Sequence, residues 1–295
     1  MQKRHLNRRT YFREQSVTTK KYVIPFIETC VEIGTKASVL EIGCGEGGNL
    51  APFLQMGCKR VVGIDISKWK INNCIEFYKN FPESENLELI CNDIFNIGDI
   101  GKFDIIIARD VLEHIHGHAE FMQKMKNLLT PKGKFFLGFP PWQNPFGGHQ
   151  QIIKNRFLSG IPYIHLLPSP VYKSVLKAFN QNESAINDLL EIKETRITIE
   201  QFEKILNNEG YVIDKKAFYF INPNYEIKFG LKPRKAWSVI ASTPLLRNFL
   251  ITTNYYLVSA NTKNSPHNQN NVLLESNHEV SNYHKSKVPV LIMEV

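Results

Sequence analysis

The chain has 295 residues, a formal net charge of +8 at pH 7 and 43% hydrophobic residues, which suits one α/β domain with insertions or two small domains. Its five cysteines occur singly, with no Cys-x-x-Cys pair, which argues against a disulfide framework or a thiolate zinc site. We expect neither a secretory signal nor a membrane span, and therefore a cytoplasmic protein. The basic charge favours an anionic partner such as phosphate, nucleic acid or a membrane surface.

Helical spacing of apolar residues predicts a helix over 15–33, with a break at Pro25 because proline lacks a backbone donor. Strands and helices then alternate, and Thr130-Pro-Lys-Gly133 predicts a turn before the fifth strand. This alternation indicates right-handed crossovers and a mainly parallel sheet. The predicted strands are 38–42, 60–65, 87–91, 103–108 and 134–139, and the predicted helices are 47–56, 68–80 and 118–129.

After the fifth strand the alternation is interrupted twice. A helix at 198–208 and strands at 211–221 and 254–259 complete the pattern around insertions at 141–196 and 222–252. We therefore predict an α/β fold: a Rossmann-like, seven-stranded, mainly parallel sheet with helices on both faces and helical insertions after strands five and six. Residues 1–35 would form an N-terminal helical cap and 36–260 the main domain, whereas the polar segment 261–295 would be a disordered tail.

The stretch from Val39 to Asn49, Val-Leu-Glu-Ile-Gly-Cys-Gly-Glu-Gly-Gly-Asn, is the most informative in the chain. An apolar run ends at Glu41, and glycines follow at alternate positions, which predicts a buried strand that turns abruptly into a ligand-binding loop. Without Cβ atoms the loop backbone can approach a cofactor closely. The same residues, read through Gly48, also fit the Gly-x-Gly-x-x-Gly dinucleotide fingerprint, so the loop alone does not identify its ligand.

Acidic residues follow at the ends of three successive predicted strands. Asp65 ends the second strand, where a carboxylate can accept hydrogen bonds from both ribose hydroxyls of a nicotinamide dinucleotide or of S-adenosylmethionine. Asp93 follows the third strand, where a carboxylate can accept from an adenine amine, although a lone aspartate there more often caps a helix. The fourth strand leads into Asp110-Val-Leu-Glu-His114.

With these motifs in order, residues 36–140 resemble the class I S-adenosylmethionine-dependent methyltransferases. A dehydrogenase needs none of the Asp-x-x-Glu-His stretch, which makes the dinucleotide alternative much the weaker. The resemblance implies that Asp65 holds the ribose hydroxyls and that Arg109 lines the methionine end through its backbone. The whole implied binding site for S-adenosyl-L-methionine consists of Glu41, Gly43, Cys44, Gly45, Gly47, Asp65, Ile66, Asp93, Ile94 and Arg109.

Acids and histidines crowd the end of the fourth strand. Asp110-x-x-Glu113-His114 resembles a motif of the O-methyltransferases of ubiquinone biosynthesis and of small-RNA ends, and it implies a divalent metal such as Mg held by Asp110, Glu113 and His114 beside the acceptor hydroxyl. The first acid is Asp rather than the more usual Glu, which shortens its reach. His149 would be a further ligand or a catalytic base, with His114 as the second catalytic candidate. In the alternative without metal, Glu113-His114 is a structural junction.

The two insertions are expected to determine the acceptor. Their aromatic and apolar residues favour O-methylation of a small-molecule or lipid/quinone-like acceptor, although the same residues could form the insertions' own core. The basic run from Lys228 to Arg247 leaves RNA as a weaker alternative and allows peripheral membrane contact. A non-catalytic cofactor-binding scaffold is the third alternative, and the intact glycine and aspartate motifs argue against it. The oligomeric state does not follow from the sequence.

Overall fold

A computed structural model of the protein describes residues 7–261 and 292–293. The greater part of the tail predicted to be disordered lies outside the described residues. In the described part of the chain, no helix is long and apolar enough to cross a membrane.

A single mixed sheet forms the centre of the molecule. Its strands in spatial order are β7-β6-β8-β5-β4-β1-β2-β3-β9. β8 runs antiparallel to β5 and β6, and the short β7 also pairs antiparallel with β6. All seven predicted strands are present, and β7 and β9, of two residues each, are additional. The strands are β1 (Ser38–Ile42), β2 (Arg60–Asp65), β3 (Leu87–Cys91), β4 (Phe103–Arg109), β5 (Leu129–Phe139), β6 (Tyr211–Ile221), β7 (Arg234–Lys235), β8 (Thr253–Ala260) and β9 (Ile292–Met293).

The strand order places one crevice at the carboxyl edge of the sheet. The chain adds strands in one direction from β1 through β2 to β3, and then crosses to β4 on the other side of β1. Loops that leave β1 and β4 therefore diverge, and ligands of doubly wound sheets bind where they part. Every residue of β1 is buried, because helices cover both faces of a parallel sheet. The predicted fold class is confirmed.

Most helices begin and end close to their predicted bounds. The N-terminal segment is α1 (Arg8–Thr18), a π-helical turn over 19–23, and α2 (Ile24–Glu28), so the expected break falls just before Pro25. Proline in the first helical turn removes no intrahelical hydrogen bond, which explains this position. The other helices are α3 (Ala51–Gln55), α4 (Lys68–Tyr78), α5 (His118–Leu128), α6 (Arg156–Ser159), α7 (Ser169–Ala178), α8 (Glu183–Thr195), α9 (Ile199–Asn208), α10 (Asn224–Phe229), α11 (Ser238–Ser242) and α12 (Leu246–Leu250).

Two predicted boundaries were wrong. α3 begins at Ala51 rather than at residue 47, because the glycine loop keeps a left-handed backbone through Gly47, where φ is 79°. The predicted turn at 130–133 lies inside β5: Phe103 pairs with Leu129, whereas Ile105 pairs with Lys134. The turn residues are thus accommodated as an irregularity of the β4–β5 ladder.

Aromatic side chains fasten the N-terminal segment to the sheet. The ring of Phe26 in α2 meets the rings of Phe136 in β5 and Tyr255 in β8 edge to face, at 5.8 and 5.7 Å between centroids. Phe136 and Tyr255 also contact each other, at 5.0 Å. The first insertion forms a separate small core of aliphatic side chains around Tyr172, as one of the two alternatives for that insertion anticipated.

Replacing Phe136 with alanine should lower the free energy of unfolding by about 3–5 kcal/mol, because the cavity would open between α2 and the centre of the sheet. Chemical denaturation measures the change. The matched control is Phe157→Ala, since Phe157 is 72% exposed, and it should stay within about 0.5 kcal/mol of the wild type. Equal losses in the two variants would contradict the packing described above.

Candidate active site

The glycine loop passes tightly between β1 and the end of β4. Gly43, Gly45 and Gly47 all have positive φ, which residues with side chains rarely adopt. A Cβ on Gly43 would lie 2.5 Å from Cγ2 of Val111, so only glycine lets the loop approach the segment after β4 this closely. The loop and the Asp110–His114 segment are therefore walls of the same crevice.

Asp65 holds the loop to the end of β2. Its Oδ2 accepts from the Gly45 N–H at 2.8 Å, and its Oδ1 accepts from the Ser67 N–H at 2.8 Å. The carboxylate is only 5% exposed, whereas the next residue, Ile66, is 74% exposed. An acid anchored by backbone donors beside a bare apolar side chain suits a ligand that combines hydroxyl groups with a flat apolar ring.

A buried hydrogen-bond chain runs beneath the glycine loop. Arg109 donates to Oγ1 of Thr19 at 3.3 Å, Thr19 donates to Oδ1 of Asn49 at 2.8 Å, and Asn49 donates to Oε1 of Glu41. The other oxygen of Glu41, Oε2, is buried without a hydrogen-bond partner among the described residues. Burial raises the pKa of Glu41 to about 8, against the opposing effects of Asn49 and Arg109. A buried acid with one oxygen unpartnered is a candidate acceptor for a bound cation.

The remaining residues of the predicted cofactor site differ in which of their groups are free to contact a ligand. Asp93 caps the turn at 94–96 by accepting from the Phe95 N–H at 3.0 Å, so the capping role exists alongside any contact with a ligand. Ile94 and Cys44 are buried in the core, which leaves their backbones for such contacts. Arg109 uses its side chain in the buried chain described above. The assignment of these residues to a cofactor stays a prediction.

Glu113, His114 and His149 come together at the carboxyl edge of β4. A ligand atom from each lies within 4.8 Å of the others, and Oε1 of Glu113 is 3.4 Å from Nε2 of His149. Glu113 is 4% exposed, and neither of its carboxylate oxygens has a hydrogen-bond partner among the described residues. Burial lowers the pKa of His114, against the charge of Glu113. An unpartnered buried carboxylate beside two imidazoles can orient a base or hold a cation.

Asp110 is not in this group, and its assignment as a metal ligand stays a prediction. Its backbone is left-handed, with φ at 57°, and its N–H donates to the Gly138 carbonyl at 2.7 Å. Among the described residues, Glu113, His114 and His149 each bring a ligand atom within 4.8 Å of the others. Asp110 keeps some solvent exposure, but neighbouring protein groups remove part of its hydration. This desolvation, together with the charge of Glu113, raises the pKa of Asp110. Tyr11, Tyr225 and Lys228 lie near enough to interact with its charge.

The first insertion supports His149 and Glu113 through separate contacts. A Cβ on Gly148 would lie 2.3 Å from Cβ of His165, so the glycine lets the loop rest directly on that buried ring. His165 is bound through Nε2 to the Trp142 carbonyl at 2.8 Å and through Nδ1 to Gln150 at 3.1 Å. Glu113 is supported separately: Thr195 of α8 donates to its backbone carbonyl at 2.6 Å. The first insertion thus positions both members of the Glu113–His149 pair.

Sequence reasoning missed the contribution of the N-terminal helix. Arg8 of α1 forms an ion pair with the buried Glu46 of the glycine loop, and its guanidinium lies over the Tyr11 ring at 5.1 Å. The Phe12 carbonyl would meet a Cβ on Gly48 at 2.4 Å. α1 therefore lies across the glycine loop. Glu46, between two glycines, and Asn49, directly after Gly48, were the available signal, but the sequence does not identify their distant partners.

Sequence comparisons identify relatives of this chain among known proteins. A family model described as "Methyltransferase domain" matches residues 14–161. A ubiquinone biosynthesis O-methyltransferase from Coxiella burnetii is 32% identical over 116 residues, which are 38% of this chain and 47% of that protein. A tRNA U34 carboxymethyltransferase from Pseudoalteromonas atlantica is 29% identical over 99 residues, 34% of this chain and 30% of that protein. The chain thus spans less than half the length of these curated relatives.

The fold is also similar to that of solved structures. Magnesium protoporphyrin IX methyltransferase from Synechocystis PCC 6803, crystallised with bound SAH, has a TM-score of 0.50 and 16% identity. The similarity covers 82% of this chain and 81% of that one. At this identity the likeness concerns the fold alone.

Glu41→Gln should change how stability depends on pH. Glu41 has a pKa of about 8 in the folded protein against an ordinary 4.5, so the folded state keeps a proton that the unfolded chain releases. The protonated Glu41 contributes its full stability below the unfolded-state pKa of 4.5. Stability then falls by up to about 1.4 kcal/mol per pH unit until the pH passes the folded-state pKa of about 8. The variant should lose that part of the slope in denaturation measured from pH 5 to 8, since glutamine does not titrate. The control Glu76→Gln, at an exposed position, should show the same pH dependence as the wild type. Identical slopes in the wild type and in Glu41→Gln would contradict the raised pKa of Glu41.

Proposed function

The chain belongs to the class I S-adenosylmethionine-dependent methyltransferases, and on that basis we propose that it methylates a hydroxyl group of a small-molecule or lipid/quinone-like acceptor. The observation that carries the proposal is the buried Glu113 carboxylate, which has no hydrogen-bond partner among the described residues and lies 3.4 Å from Nε2 of His149 at the edge of the crevice. A hydroxyl must lose its proton on methylation, and this pair can take it. The relative named as a ubiquinone biosynthesis O-methyltransferase supports the same reaction class.

The crevice residues fit S-adenosyl-L-methionine. Glu41 keeps a buried oxygen without a partner beneath the loop, where a cationic amine could be accommodated through water. Asp65 has a second lone pair on each oxygen for ribose hydroxyls, and the exposed Ile66 offers an apolar surface for adenine. The residues we expect to hold the cofactor are Glu41, Gly43, Cys44, Gly45, Gly47, Asp65, Ile66, Asp93, Ile94 and Arg109.

The cofactor supplies an activated methyl group on a sulfonium, so the protein must position the acceptor and remove its proton. His149 is held by the Gly148–His165 contact, and Glu113 beside it can orient the ring and stabilise the imidazolium that forms. His114, whose ring centroid is 4.9 Å from that of His149, completes the polar edge. These residues form the proposed proton-accepting group.

The same three side chains also fit a divalent cation. The donor set is one buried carboxylate without a hydrogen-bond partner and two imidazoles. Imidazole nitrogen favours a first-row transition ion such as Mn²⁺ or Zn²⁺ over Mg²⁺, which prefers oxygen. Such an ion would lower the pKa of an acceptor hydroxyl. Glu113, His114 and His149 would then be its ligands.

A second candidate function is methylation of RNA. Residues 224–250 contain five basic residues and one acid, and one relative is named as a tRNA-modifying enzyme. The described residues nevertheless offer no recognisable module in which basic and aromatic side chains alternate to stack bases. The small-molecule proposal is therefore preferred.

Asp65→Ala should weaken binding of S-adenosyl-L-methionine at least about tenfold, because the loop loses its anchor and the ribose its acceptor. Isothermal titration calorimetry measures the affinity. Asp99→Asn is a suitable control: its carboxylate accepts only the local Gly101 N–H in the described structure, and the affinity should not change. Undiminished binding by Asp65→Ala would remove the proposed cofactor site.

Transfer of a labelled methyl group into lysate fractions tests the acceptor. We expect label in the small-molecule or lipid pool; label confined to RNA would reject the proposal in favour of the second candidate. His149→Ala and Glu113→Gln should each lower the rate about 100-fold or more while cofactor binding persists. His116→Ala, at an exposed histidine of the same segment, should have little effect. Loss of activity with a chelator, restored by Mn²⁺ or Zn²⁺, would favour the cation over the base.

A further inference from the structure

The hairpin of α11 and α12 in the second insertion presents apolar side chains to solvent. Trp237 and Val239 are 79% and 75% exposed, and Leu245 and Leu246 are 69% and 49% exposed. Phe249 adds a further 38%-exposed ring. Single exposed apolar residues are ordinary, but several within thirteen positions form a patch that calls for a partner.

The polarity of α12 is reversed relative to a normal surface helix. Its polar residues face inward: Arg247 is 8% exposed and bound to Glu200 and Glu203 of α9, and Asn248 is fully buried, accepting from the Ile199 N–H at 2.9 Å. Leu246 and Phe249 are the exposed residues of this helix. A surface helix normally buries its apolar face. In α12 the ion pairs and hydrogen bonds to α9 keep the polar face buried and leave apolar side chains exposed.

The backbone at Leu245, directly before α12, is strained. Leu245 has a φ of 65°, which a branched side chain adopts only when its surroundings impose it. Its N–H donates to Oε1 of Glu200 at 3.1 Å. The bond to α9 therefore keeps the leucine in solvent at a conformational cost.

Basic residues border the patch. Lys232, Arg234 and Lys235 are exposed, and among the residues that the structure describes no carboxylate forms an ion pair with any of them. Residues 224–250 contain a single acid, Glu226, which is paired with Lys21. Cations beside exposed Trp and aliphatic side chains match the interface of an anionic bilayer, where tryptophan sits at headgroup level.

We propose that this surface, Leu231–Phe249, docks the protein on an anionic phospholipid membrane. The apolar side chains enter the acyl boundary, and the three cations meet the headgroups. RNA is disfavoured because the exposed apolar residues are mainly aliphatic, and bases stack on aromatic rings. The surface continues from α10, whose Tyr225 and Lys228 lie near Asp110 at the crevice, so docking would bring the crevice close to a lipid-like acceptor. Docking itself does not depend on the proposed function.

Vesicle flotation tests the proposal with the full chain. We expect binding to vesicles of equal parts phosphatidylglycerol and phosphatidylcholine, weak binding to phosphatidylcholine alone, and weakening by salt. Trp237→Ser/Val239→Ser should reduce partitioning at least about tenfold, because the inserted apolar area is lost. Val212→Ser is the control: Val212 is 46% exposed, and it lies at the opposite end of β6.

A second pair of variants isolates the charge. Lys232→Gln/Arg234→Gln/Lys235→Gln should reduce partitioning at least about tenfold, since each cation near the surface adds attraction. Lys59→Gln/Lys102→Gln/Lys132→Gln removes the same charge at the amino edge of the sheet and should have a much smaller effect. The proposal is overturned if the wild type does not bind anionic vesicles, if both triple variants lose binding equally, or if the surface retains RNA instead. Cofactor affinity, measured separately, should be unchanged in every variant.

Discussion

The buried hydrogen-bond chain from Arg109 through Thr19 and Asn49 to Glu41 joins parts of the molecule that are distant in sequence. Arg109 ends β4, Thr19 lies in the π-helical turn after α1, Asn49 follows the glycine loop and Glu41 belongs to β1. A buried polar group that loses its hydrogen-bond partner also lacks water to replace it, which destabilises the folded state. Each of these four groups therefore depends on its neighbours in the chain of hydrogen bonds. These hydrogen bonds therefore fix the end of the N-terminal helical segment against the glycine loop and the floor of the crevice.

The two insertions lie outside the sheet and have different roles. The first has its own core and supports the Glu113–His149 pair through His165 and Thr195. The second directs polar side chains inward to α9 and leaves apolar ones in solvent. One insertion therefore shapes the proposed chemistry, whereas the other forms the surface that we propose to dock on lipid. The fold alone determines neither, since the same sheet supports many acceptors.

Much of the sheet could be predicted because its signals are local. Short, largely apolar segments predicted the bounds of strands β1 to β4 almost to the residue. The left-handed backbone of the glycine loop also follows from its sequence, because only glycine adopts it freely. Contacts between distant residues could not be predicted: the Asp110 N–H donates to the Gly138 carbonyl of β5, and the backbone of Asp110 is left-handed. His149 joins Glu113 only because Gly148 rests on His165.

The sequence by itself determined the class of fold and the family of this protein, since the glycine loop and the strand-end acids are short-range patterns tied to successive strands. Only the tertiary structure decided which acids and histidines meet, which helix covers the loop and which face of α12 remains in solvent. The physical reason is that hydrogen bonds and ion pairs between remote segments have no period in the sequence. Arg247 looks like a surface cation and Leu245 like a core residue until α9 is placed beside them.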